Sequence, residues 1–445
     1  MGLYGSMLRS AVLPLTPLIG TNFWAEYMKL ERSQHMSREK LEELQWKKLK
    51  SLIDYSYRNV EYYRRLFDDG RIKPSDIRKR GDMSKIPIST KESLSKSVDR
   101  ATSRMCSKKD LISNSTSGST GTPFKFFMDR QLLDMERANL YRGYEWAGLL
   151  FGDPLIKIWG PHNITFKTKL FDAIMRRELL SAFNMDDTTM REYAERIRRK
   201  RPALLECYVS AAYGLSKFML DNSIKPPEVG AIITSGETLP ESQRKTIEEA
   251  FNAKVYNRYG SREFGMIAQE CEKQDGLHVN MESFYIETVS FESGEPVREG
   301  ERGRMIVTSL ENHGMPFIRY DIGDVGILST VECGCGRGLE AFSEVSGRMI
   351  DLIKTPRGKI VSVHFMTLLF EDYADYIRNF QVVEKGSGML QVLLEPMEKM
   401  DERVTGKLRQ AMEDYLGEGM TVEFKNVDRI PLTKSGKRAI LRREY

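Results

Sequence analysis

The sequence predicts an α/β protein with a large N-terminal domain and a small α+β C-terminal domain. Three observations support this fold class: a strand–helix–strand pattern within residues 229–265, short apolar runs separated by turn residues within 284–330, and a hairpin, helix and strand near the C-terminus. At 445 residues, 40% of them hydrophobic, the chain is large enough to bury the cores of about two or three packed units.

The composition narrows the class of protein. Charged residues make up 29% of the chain, and the formal net charge of +5 is small for this length and spread along it, so nucleic-acid binding is not expected. Five cysteines are too few for a disulfide scaffold. They favour free thiols or a metal site in a reducing compartment, and we expect a cytoplasmic protein.

The N-terminal apolar run "SMLRSAVLPLTPLIGTNFW" (6–24) is interrupted by Pro14 and Pro17. It falls short of the roughly 20 apolar residues that a spanning helix needs, and it lacks a small-residue cleavage site after a clean apolar core. We expect neither a transmembrane segment nor a secretory signal. A weak contact with a membrane or a partner stays open.

Helical periodicity marks three segments. Residues 37–69 space their leucines and Ile53 as an amphipathic helix does, and Ser37 favours a helix start. Residues 131–150 predict another helix, and 188–200 a third, with a threonine cap and a basic last turn that suits the helix dipole. These helices are expected to pack rather than to carry chemistry.

The region 229–265 is the most informative. An apolar run ends in Ser-Gly-Glu at 235–237, a helical segment with Pro240 at its start follows, and a second run ends in Tyr-Gly-Ser-Arg-Glu at 259–263. Such a crossover joins parallel strands. Glu237 and residues 259–263 should therefore lie close together at the carboxyl ends of the strands, where open α/β sheets bind ligands.

The pattern then changes twice. Within 284–330, the turn sequences "ESGEP", "EGERG" and "ENHGMP" predict antiparallel strands joined by tight turns. Beyond a boundary near Gly347, a hairpin is predicted about residues 386–388, a helix within 401–417, where apolar residues recur every four positions, and a strand at "MTVEFKNV".

The stretch "NSTSGSTGTPFKF" (114–126) concentrates serine, threonine and glycine. This composition is most often that of a flexible linker, and the stretch lacks the spacing of a Walker motif. Glycines nevertheless let backbone N–H groups converge on an anion, and hydroxyls add donors to phosphate oxygens. A linker and a phosphate-binding loop are both compatible with the residues alone.

Six short segments stand out along the chain: "STSGSTGTP" (115–123), "TSGE" (234–237), "YGSRE" (259–263), "RYDIGD" (319–324), "GRMIDLIK" (347–354) and "PLTKSGK" (431–437). Their order and approximate spacing resemble those of the motifs in the adenylate-forming superfamily of acyl-CoA synthetases and adenylation domains. With "NVEYYRRLF", "IPISTKESL", "CGCGR" and the chain length, the sequence is most similar to the branch of phenylacetate-CoA ligase, coenzyme F390 synthetase and CapK. The resemblance covers nearly the whole chain.

The resemblance implies a large N-terminal adenylation domain (1–346) of mixed sheets with helices plus a small β subdomain, and a small, mobile α+β C-terminal domain (347–445). It implies ATP as a substrate, with the phosphates held by the Ser/Thr/Gly loop, adenine beside Gly236, Glu237 and Tyr259, and the ribose on Asp324. The full set of implied nucleotide-binding residues is Ser117, Gly118, Ser119, Thr120, Gly121, Thr122, Ser235, Gly236, Glu237, Tyr259, Gly260, Ser261 and Asp324.

The resemblance also implies catalytic residues. Glu263 matches the magnesium carboxylate, Arg348 an arginine that approaches ribose and phosphate, and Lys437 the lysine that the C-terminal domain delivers to the α-phosphate. The positive charge of Lys437 agrees with this role, because adenylation concentrates negative charge on the phosphorus oxygens. Relatives commonly place threonine or serine where Arg262 stands. This arginine either adds positive charge to the site or points to solvent.

The hinge departs from the family pattern Gly-Arg-x-Asp-Asp, because Ile350 precedes Asp351 here. The hinge is expected at these two residues. Rotation about it lets one cleft catalyse two steps.

The implied reaction joins a carboxylic acid to Mg-ATP as an acyl-adenylate with release of pyrophosphate, and then transfers the acyl group, with CoA as the expected acceptor. Three alternatives stay open: amide formation on an amine in polysaccharide biosynthesis, as for CapK; nucleotidyl transfer to a deazaflavin hydroxyl, as in the F390 branch; and a nucleotide-binding scaffold without catalysis. A homodimer is compatible with all of them.

The cysteines offer a metal site. Cys271 and His278 lie on one predicted loop and Cys333 and Cys335 on another, so if the loops meet they form a three-cysteine, one-histidine set suited to structural Zn²⁺. The alternative is that they are ordinary reduced thiols. A nucleophilic cysteine is less expected, since no base motif accompanies any of them.

Overall fold

The computed structural model describes residues 3–115, 124–160, 166–182, 185–329, 331–348, 352–356, 360–362, 377–386, 388–396, 402–430 and 440–444. The chain divides into two compact units, Met1–Leu239 with Gln243–Val345, and Pro240–Ser242 with Ser346–Tyr445. The predicted domain boundary follows residue 346, and the division between the units falls one residue earlier.

The helices up to residue 251, within the described residues, are α1 (Leu3–Met7), α2 (Phe23–Ser33), α3 (Arg38–Asn59), α4 (Glu61–Asp69), α5 (Lys91–Ser95), α6 (Val98–Ala101), α7 (Arg130–Trp146), α8 (Phe166–Ile174), α9 (Asp187–Lys200), α10 (Val209–Asp221) and α11 (Glu241–Phe251). A π-helical turn (Leu8–Val12) and 3₁₀ segments (Leu13–Ile19, Pro74–Asp76, Arg80–Lys85) accompany them.

The three predicted helical segments are helical, with two refinements. Residues 37–69 form two helices, α3 and α4, because Val60 between them is extended. The predicted threonine cap of α9 is wrong: Asp186 is the N-cap, and its carboxylate accepts a hydrogen bond from the Thr189 N–H at 2.8 Å. Aspartate is the stronger cap because it brings a full negative charge to the positive end of the helix dipole.

The strands of the first unit are β1 (Ile112–Ser115), β2 (Lys125–Met128), β3 (Leu155–Trp159), β4 (Arg177–Ser181), β5 (Leu204–Tyr208), β6 (Ala231–Ser235), β7 (Val255–Ser261), β8 (Gly265–Glu270), β9 (Leu277–Val279), β10 (Phe284–Val289), β11 (Gly303–Ser309), β12 (Tyr320–Leu328) and β13 (Ala341–Arg348). β1 and β2 form an antiparallel ribbon. The other strands form a sheet in the order β10-β11-β12-β13-β9-β8-β7-β6-β5-β3-β4.

One half of this sheet is parallel. Strands β4, β3, β5, β6 and β7 run in the same direction, and the predicted crossover β6–α11–β7 is confirmed, with Ser235 opposite Arg258. Alternate strand residues point to opposite faces. Ile156, Leu205 and Ile232 share one apolar cluster with residues of α9, α10 and α11, and Leu155, Leu204 and Ile233 share another with residues of α2 and α7. Burial on both faces explains why these strands are nearly continuous apolar runs.

The other half is antiparallel. β10, β11 and β12 pair as predicted for residues 284–330, and they continue the main sheet rather than standing apart from it. Gly323, at φ +80°, lies within β12 next to a shift in its register with β11. An L side chain rarely adopts that backbone conformation, so glycine lets the strand bend just before Asp324.

The second unit contains β14 (Leu352–Lys354), β15 (Ile360–Ser362), β16 (Ile377–Gly386), β17 (Met389–Pro396), α12 (Glu402–Leu416), β18 (Thr421–Asn426) and β19 (Leu441–Arg443). Its main sheet has the order β18-β17-β16-β19. The predicted hairpin is β16–β17, and the predicted helix buries Leu408, Met412 and Leu416 at four-residue spacing. Across the described part of both units, no helix is long and apolar enough to cross a membrane.

Candidate active site

The carboxyl end of β6 lies as the sequence predicts, next to the carboxyl end of β7. Ser235 ends β6, and Gly236 follows with φ +82°, a conformation that favours glycine. The Glu237 carboxylate accepts hydrogen bonds from the Ser210 N–H (2.7 Å) and hydroxyl (3.0 Å). Glu237, expected beside the adenine, therefore caps the N-terminus of α10, where a negative charge is stabilising.

A tight connection between β7 and β8 presents the "YGSRE" motif. Gly260 lies so close to the opposite strand that a Cβ there would be 2.2 Å from the Gly265 carbonyl oxygen, so any side chain would force the strands apart. The Ser261 hydroxyl accepts a hydrogen bond from the Glu263 N–H at 3.2 Å. This bond fixes the turn, in which Glu263 lies two residues after the end of β7.

Two hydrogen bonds join this turn to β12. The Tyr259 hydroxyl donates to Asp324 Oδ2 at 2.6 Å, and the Tyr320 hydroxyl donates to Glu263 Oε1 at 3.3 Å. Both carboxylates are only 8% exposed. Because β7 and β12 are separated in the sheet by β8, β9 and β13, the sheet must curl for these side chains to meet. Tyr259, Glu263, Tyr320 and Asp324 therefore form one cluster of two hydrogen-bonded pairs, although Tyr320 and Asp324 are far from the other two in sequence.

Arg262 connects the same turn to the β1–β2 ribbon. Its guanidinium donates to the Asn114 side-chain oxygen at 2.9 Å and to the Ser115 carbonyl at 3.4 Å. Asn114 and Ser115 end β1, and Lys125 begins β2. Arg262 therefore brings its positive charge to the strand that leads into the Ser/Thr/Gly loop. The Arg262 side chain is itself exposed, so both of its predicted roles stay predictions.

Several predicted residues lie outside the described residues: the loop residues Ser117, Gly118, Ser119, Thr120, Gly121 and Thr122, the hinge residues Ile350 and Asp351, and Lys437. Arg348 is the last residue of β13, and its side chain is likewise outside the description. Their roles stay predictions.

Sequence analysis missed a buried charged cluster beneath the carboxyl edge of the parallel strands. Lys157 of β3 and Arg258 of β7 each donate to Glu206 Oε1 at 2.9 Å, and the Tyr144 hydroxyl of α7 donates to Glu206 Oε2 at 2.5 Å. Burial alone would raise the pKa of Glu206, but the two cations outweigh it and hold that pKa at about 2. Burial lowers the pKa of Lys157, and the nearby Glu206 carboxylate partly offsets this lowering.

A sequence pattern could have revealed this cluster. "IKIW", "LECY" and "NRYG" each place a charged residue inside an apolar strand that should be buried on both faces, and such a charge needs a partner. The aromatic residues two positions after Lys157 and Glu206 mark the same edge: the rings of Trp159 and Tyr208 stack at 4.0 Å.

Glu136 of α7 is a second residue that sequence analysis missed. It is half-buried against Gly265, where a Cβ would lie 2.8 Å from Glu136 Oε1. Burial raises the pKa of this carboxyl to about 8, although Arg137 and Arg262 act in the opposite direction. A largely neutral acid therefore lies behind the turn that carries Glu263.

The four predicted metal ligands come together. Cys271 follows β8, His278 lies in β9, and Cys333 and Cys335 lie between β12 and β13. Their ligand atoms are all within 4.8 Å of one another, with Cys271 Sγ 3.6 Å from Cys333 Sγ and Cys335 Sγ 3.3 Å from His278 Nε2. Burial lowers the pKa of His278 to about 4, which keeps the imidazole neutral and able to coordinate.

The chain is similar to several known proteins. A model of the CapK C-terminal domain matches residues 353–444. A phenylacetate-coenzyme A ligase of Thermus thermophilus is 27% identical over 360 residues, covering 80% of each chain. Protein CapK of Staphylococcus aureus is 24% identical over 406 residues, covering 89% of this chain and 88% of CapK. The chain is a homologue of phenylacetate-coenzyme A ligases and of CapK.

A solved structure supports the predicted fold. 2-Hydroxyisobutyryl-CoA ligase, in the postadenylation state with an acyl-AMP, superposes with a TM-score of 0.76 over 93% of this chain and 92% of that one, at 18% identity. At that identity the likeness shows the fold, which is the one predicted from the six motifs.

Proposed function

We propose that this protein is an ATP-dependent ligase that activates a carboxylic acid as an acyl-adenylate, releases pyrophosphate, and transfers the acyl group to CoA. The observation that carries the proposal is the cluster of Tyr259, Glu263, Tyr320 and Asp324, in which two hydrogen bonds pair Tyr259 with Asp324 and Tyr320 with Glu263 across the curled sheet. The homology to phenylacetate-coenzyme A ligases over 80% of the chain supports the choice of reaction.

Tyr259, Glu263 and Asp324 each have a role that their chemistry suits. Asp324 offers two carboxylate oxygens, which suits an acceptor for ribose hydroxyls, and the Tyr259 hydroxyl holds it in place. We propose that the Tyr259 ring stacks on adenine. The buried oxygens of Glu263 fit Mg²⁺, a hard cation that would neutralise charge on the phosphates of ATP.

The remaining machinery follows from the family resemblance. We propose that the loop containing Ser117 and Thr122 binds the β- and γ-phosphates, and that Arg262 anchors the strand leading into it. The second unit would supply Arg348 and Lys437 to the α-phosphate for adenylation, and then rotate about residues 350–351 so that the acceptor can attack. We place the acyl group beside the stacked rings of Trp159 and Tyr208.

A specific observation favours a second candidate. The CapK C-terminal domain model matches residues 353–444, and CapK aligns over more of this chain (89%) than the Thermus ligase does (80%). By its resemblance to CapK, the protein would transfer the acyl group of the same adenylate to an amine instead of CoA.

The experiment is AMP and pyrophosphate formation from Mg-ATP with pooled aryl, fatty, amino and sugar acids, each with and without CoA. The matched control for Lys437→Ala is Lys434→Ala, three residues away in the same motif. The proposal predicts AMP release that depends on one acid and on Lys437 but not on Lys434. Thioester formation with CoA identifies the first candidate. Acid-dependent pyrophosphate release that CoA does not increase identifies the second. Absence of any acid-dependent pyrophosphate release would refute both.

We also propose a structural Zn²⁺ at Cys271, His278, Cys333 and Cys335, where it would connect the end of β8 and β9 to the β12–β13 connection. The cytoplasmic location and the homodimer stay predictions from the sequence.

A further inference from the structure

Exposed apolar side chains are concentrated at the start of the chain. Of fourteen exposed large hydrophobic residues in the described chain, six lie within residues 3–18 and two lie on α8. The two segments are neighbours, because the Tyr4 hydroxyl donates to the Ile174 carbonyl at the end of α8 at 2.7 Å. We call these eight residues the apolar patch: Leu3, Tyr4, Met7, Val12, Leu15, Leu18, Leu170 and Phe171.

The backbone turns these side chains outward. Leu3 and Met7 are four residues apart in α1 and share one helix face. Leu15 and Leu18 are three apart in a 3₁₀ segment, where such residues eclipse. The exposed fractions of Leu3 and Leu18 reach 95% and 81%. These side chains therefore point to solvent from one face of each short helix and are not partly covered residues at the edge of a hydrophobic core.

The segment is anchored from beneath. Leu8 and Leu13 are buried, and Arg9 pairs with Glu145 at 3.6 Å and lies over the rings of Trp24 and Phe151. The segment that carries the patch is therefore packed against the rest of the first unit and is not frayed.

Polar side chains within the segment are few, and those of Tyr4, Arg9, Ser10 and Thr16 have their partners within this protein. The Ser10 hydroxyl donates to the Ser6 carbonyl at 2.8 Å, and the Thr16 hydroxyl donates to the Leu13 carbonyl at 2.7 Å. Arg9 is the single charged side chain from residue 3 to 25. Protein interfaces usually combine an apolar centre with hydrogen-bonding groups, whereas a hydrocarbon environment demands that polar groups find their partners within the protein. The segment meets the second requirement.

The rim of the patch is basic. Lys169 of α8 and Arg176 just beyond it are exposed, and the Arg176 guanidinium donates to the Gly152 carbonyl at 3.3 Å. Arg130 is exposed where its guanidinium donates to the Gly20 carbonyl. The nearby Asp172 is paired with Arg177 at 2.5 Å, so it offsets little of this charge.

We propose that the apolar patch docks this protein on the surface of an anionic lipid membrane, with its side chains in the boundary between headgroups and acyl chains and the basic rim beside the anionic headgroups. Apolar insertion combined with basic residues is the chemistry of peripheral membrane segments. No described helix can span a bilayer, so the docking is interfacial. The proposal is independent of the catalytic activity.

The test is flotation of the full chain with phosphatidylcholine vesicles that contain or lack phosphatidylglycerol. The triple variant Leu3→Ser/Leu15→Ser/Leu18→Ser should bind at least about tenfold more weakly than wild type. The matched control is Met36→Ser/Leu220→Ser/Val331→Ser, which removes three exposed apolar side chains elsewhere and should bind as wild type does.

A charge variant tests the rim. Lys169→Glu/Arg176→Glu should weaken binding several-fold to vesicles with phosphatidylglycerol and leave binding to phosphatidylcholine alone unchanged. Thermal unfolding confirms that each variant folds.

Three results would overturn the proposal: no flotation of wild type with either vesicle, equal binding of the patch and control variants, or self-association of wild type that the patch variant abolishes without any vesicle binding. The last result would assign the patch to a second copy of the chain.

Discussion

Replacing Cys335 by serine tests whether the four clustered ligands hold zinc. Tetrahedral Zn²⁺ with Zn–S bonds of about 2.3 Å and Zn–N bonds of about 2.0–2.1 Å requires sulfur atoms about 3.8 Å apart and a sulfur–nitrogen separation of about 3.6 Å. The structure has Cys271 Sγ and Cys333 Sγ at 3.6 Å and Cys335 Sγ and His278 Nε2 at 3.3 Å. These two separations are therefore within a few tenths of an ångström of the tetrahedral values, and all four ligand atoms lie within 4.8 Å of one another.

The expected magnitude is large. Changes in the groups that merely support zinc ligands cost about 10–100-fold in affinity, so loss of a ligand should cost more than roughly 100-fold. Wild-type protein purified without added metal should contain one zinc per chain by mass spectrometry of the elements, and Cys335→Ser should contain almost none. Chelation should lower the melting temperature of wild type and leave that of Cys335→Ser unchanged, because zinc bound only to the folded state stabilises it.

Cys106→Ser is the matched control, since Cys106 is partly exposed and lies outside the cluster. It should retain full zinc content. Zinc-free wild type from zinc-replete cells, or full zinc content in Cys335→Ser, would refute the metal site.

Three further variants test other parts of the structure. Arg142→Leu should lower the free energy of unfolding by about 3–5 kcal/mol in denaturant titration, because it strands the buried Glu282 carboxylate, which accepts bonds of 2.7 and 3.0 Å from Arg142. Tyr259→Phe should raise the KM for ATP about tenfold with a smaller change in kcat, because the ring remains while the bond to Asp324 is lost. Glu136→Gln should raise the melting temperature more at pH 8.5 than at pH 5.5: the folded-state pKa of about 8 exceeds the ordinary 4.5, so the wild type loses stability as pH rises between these values, and glutamine does not.

The control for Arg142→Leu is a change at an exposed ion pair. Arg65→Ala breaks an exposed pair with Glu61 and should cost no more than about 1 kcal/mol. An equal cost for Arg142→Leu would contradict the assignment of a buried charge pair. An unchanged KM for ATP in Tyr259→Phe would remove Tyr259 from the nucleotide site, and a pH-independent gain in Glu136→Gln would show that Glu136 is ionised throughout.

Local patterns in the sequence account for much of the fold. The crossover from β6 to β7 was predictable because its apolar runs and helical segment are contiguous, and the hairpin β16–β17 because glycines mark its turn. The N-cap of α9 was missed because two threonines adjoin Asp186 and Asp187, and composition alone does not decide which side chain reaches the free N–H group.

Local sequence patterns could not predict the contacts between strands that are distant in sequence. The bond from Tyr259 to Asp324 depends on the curl of the sheet, and the capping of α10 by Glu237 depends on the register of β5 with β6. The family resemblance supplied Tyr259 and Asp324 as site residues without indicating that they bond to each other. For the same reason the cluster of Lys157 and Arg258 about Glu206 was missed, since each residue comes from a different strand.

Adenylation requires that a carboxylate attack the α-phosphate of ATP, and this step can be followed by oxygen transfer. The substrate acid, labelled with ¹⁸O in its carboxylate, is converted to product with Mg-ATP and acceptor, and the AMP is analysed by mass spectrometry. The AMP should carry one ¹⁸O atom, because the bridging oxygen of the acyl-adenylate stays on phosphorus when the acceptor displaces AMP. Unlabelled AMP, or ADP in its place, would contradict this prediction.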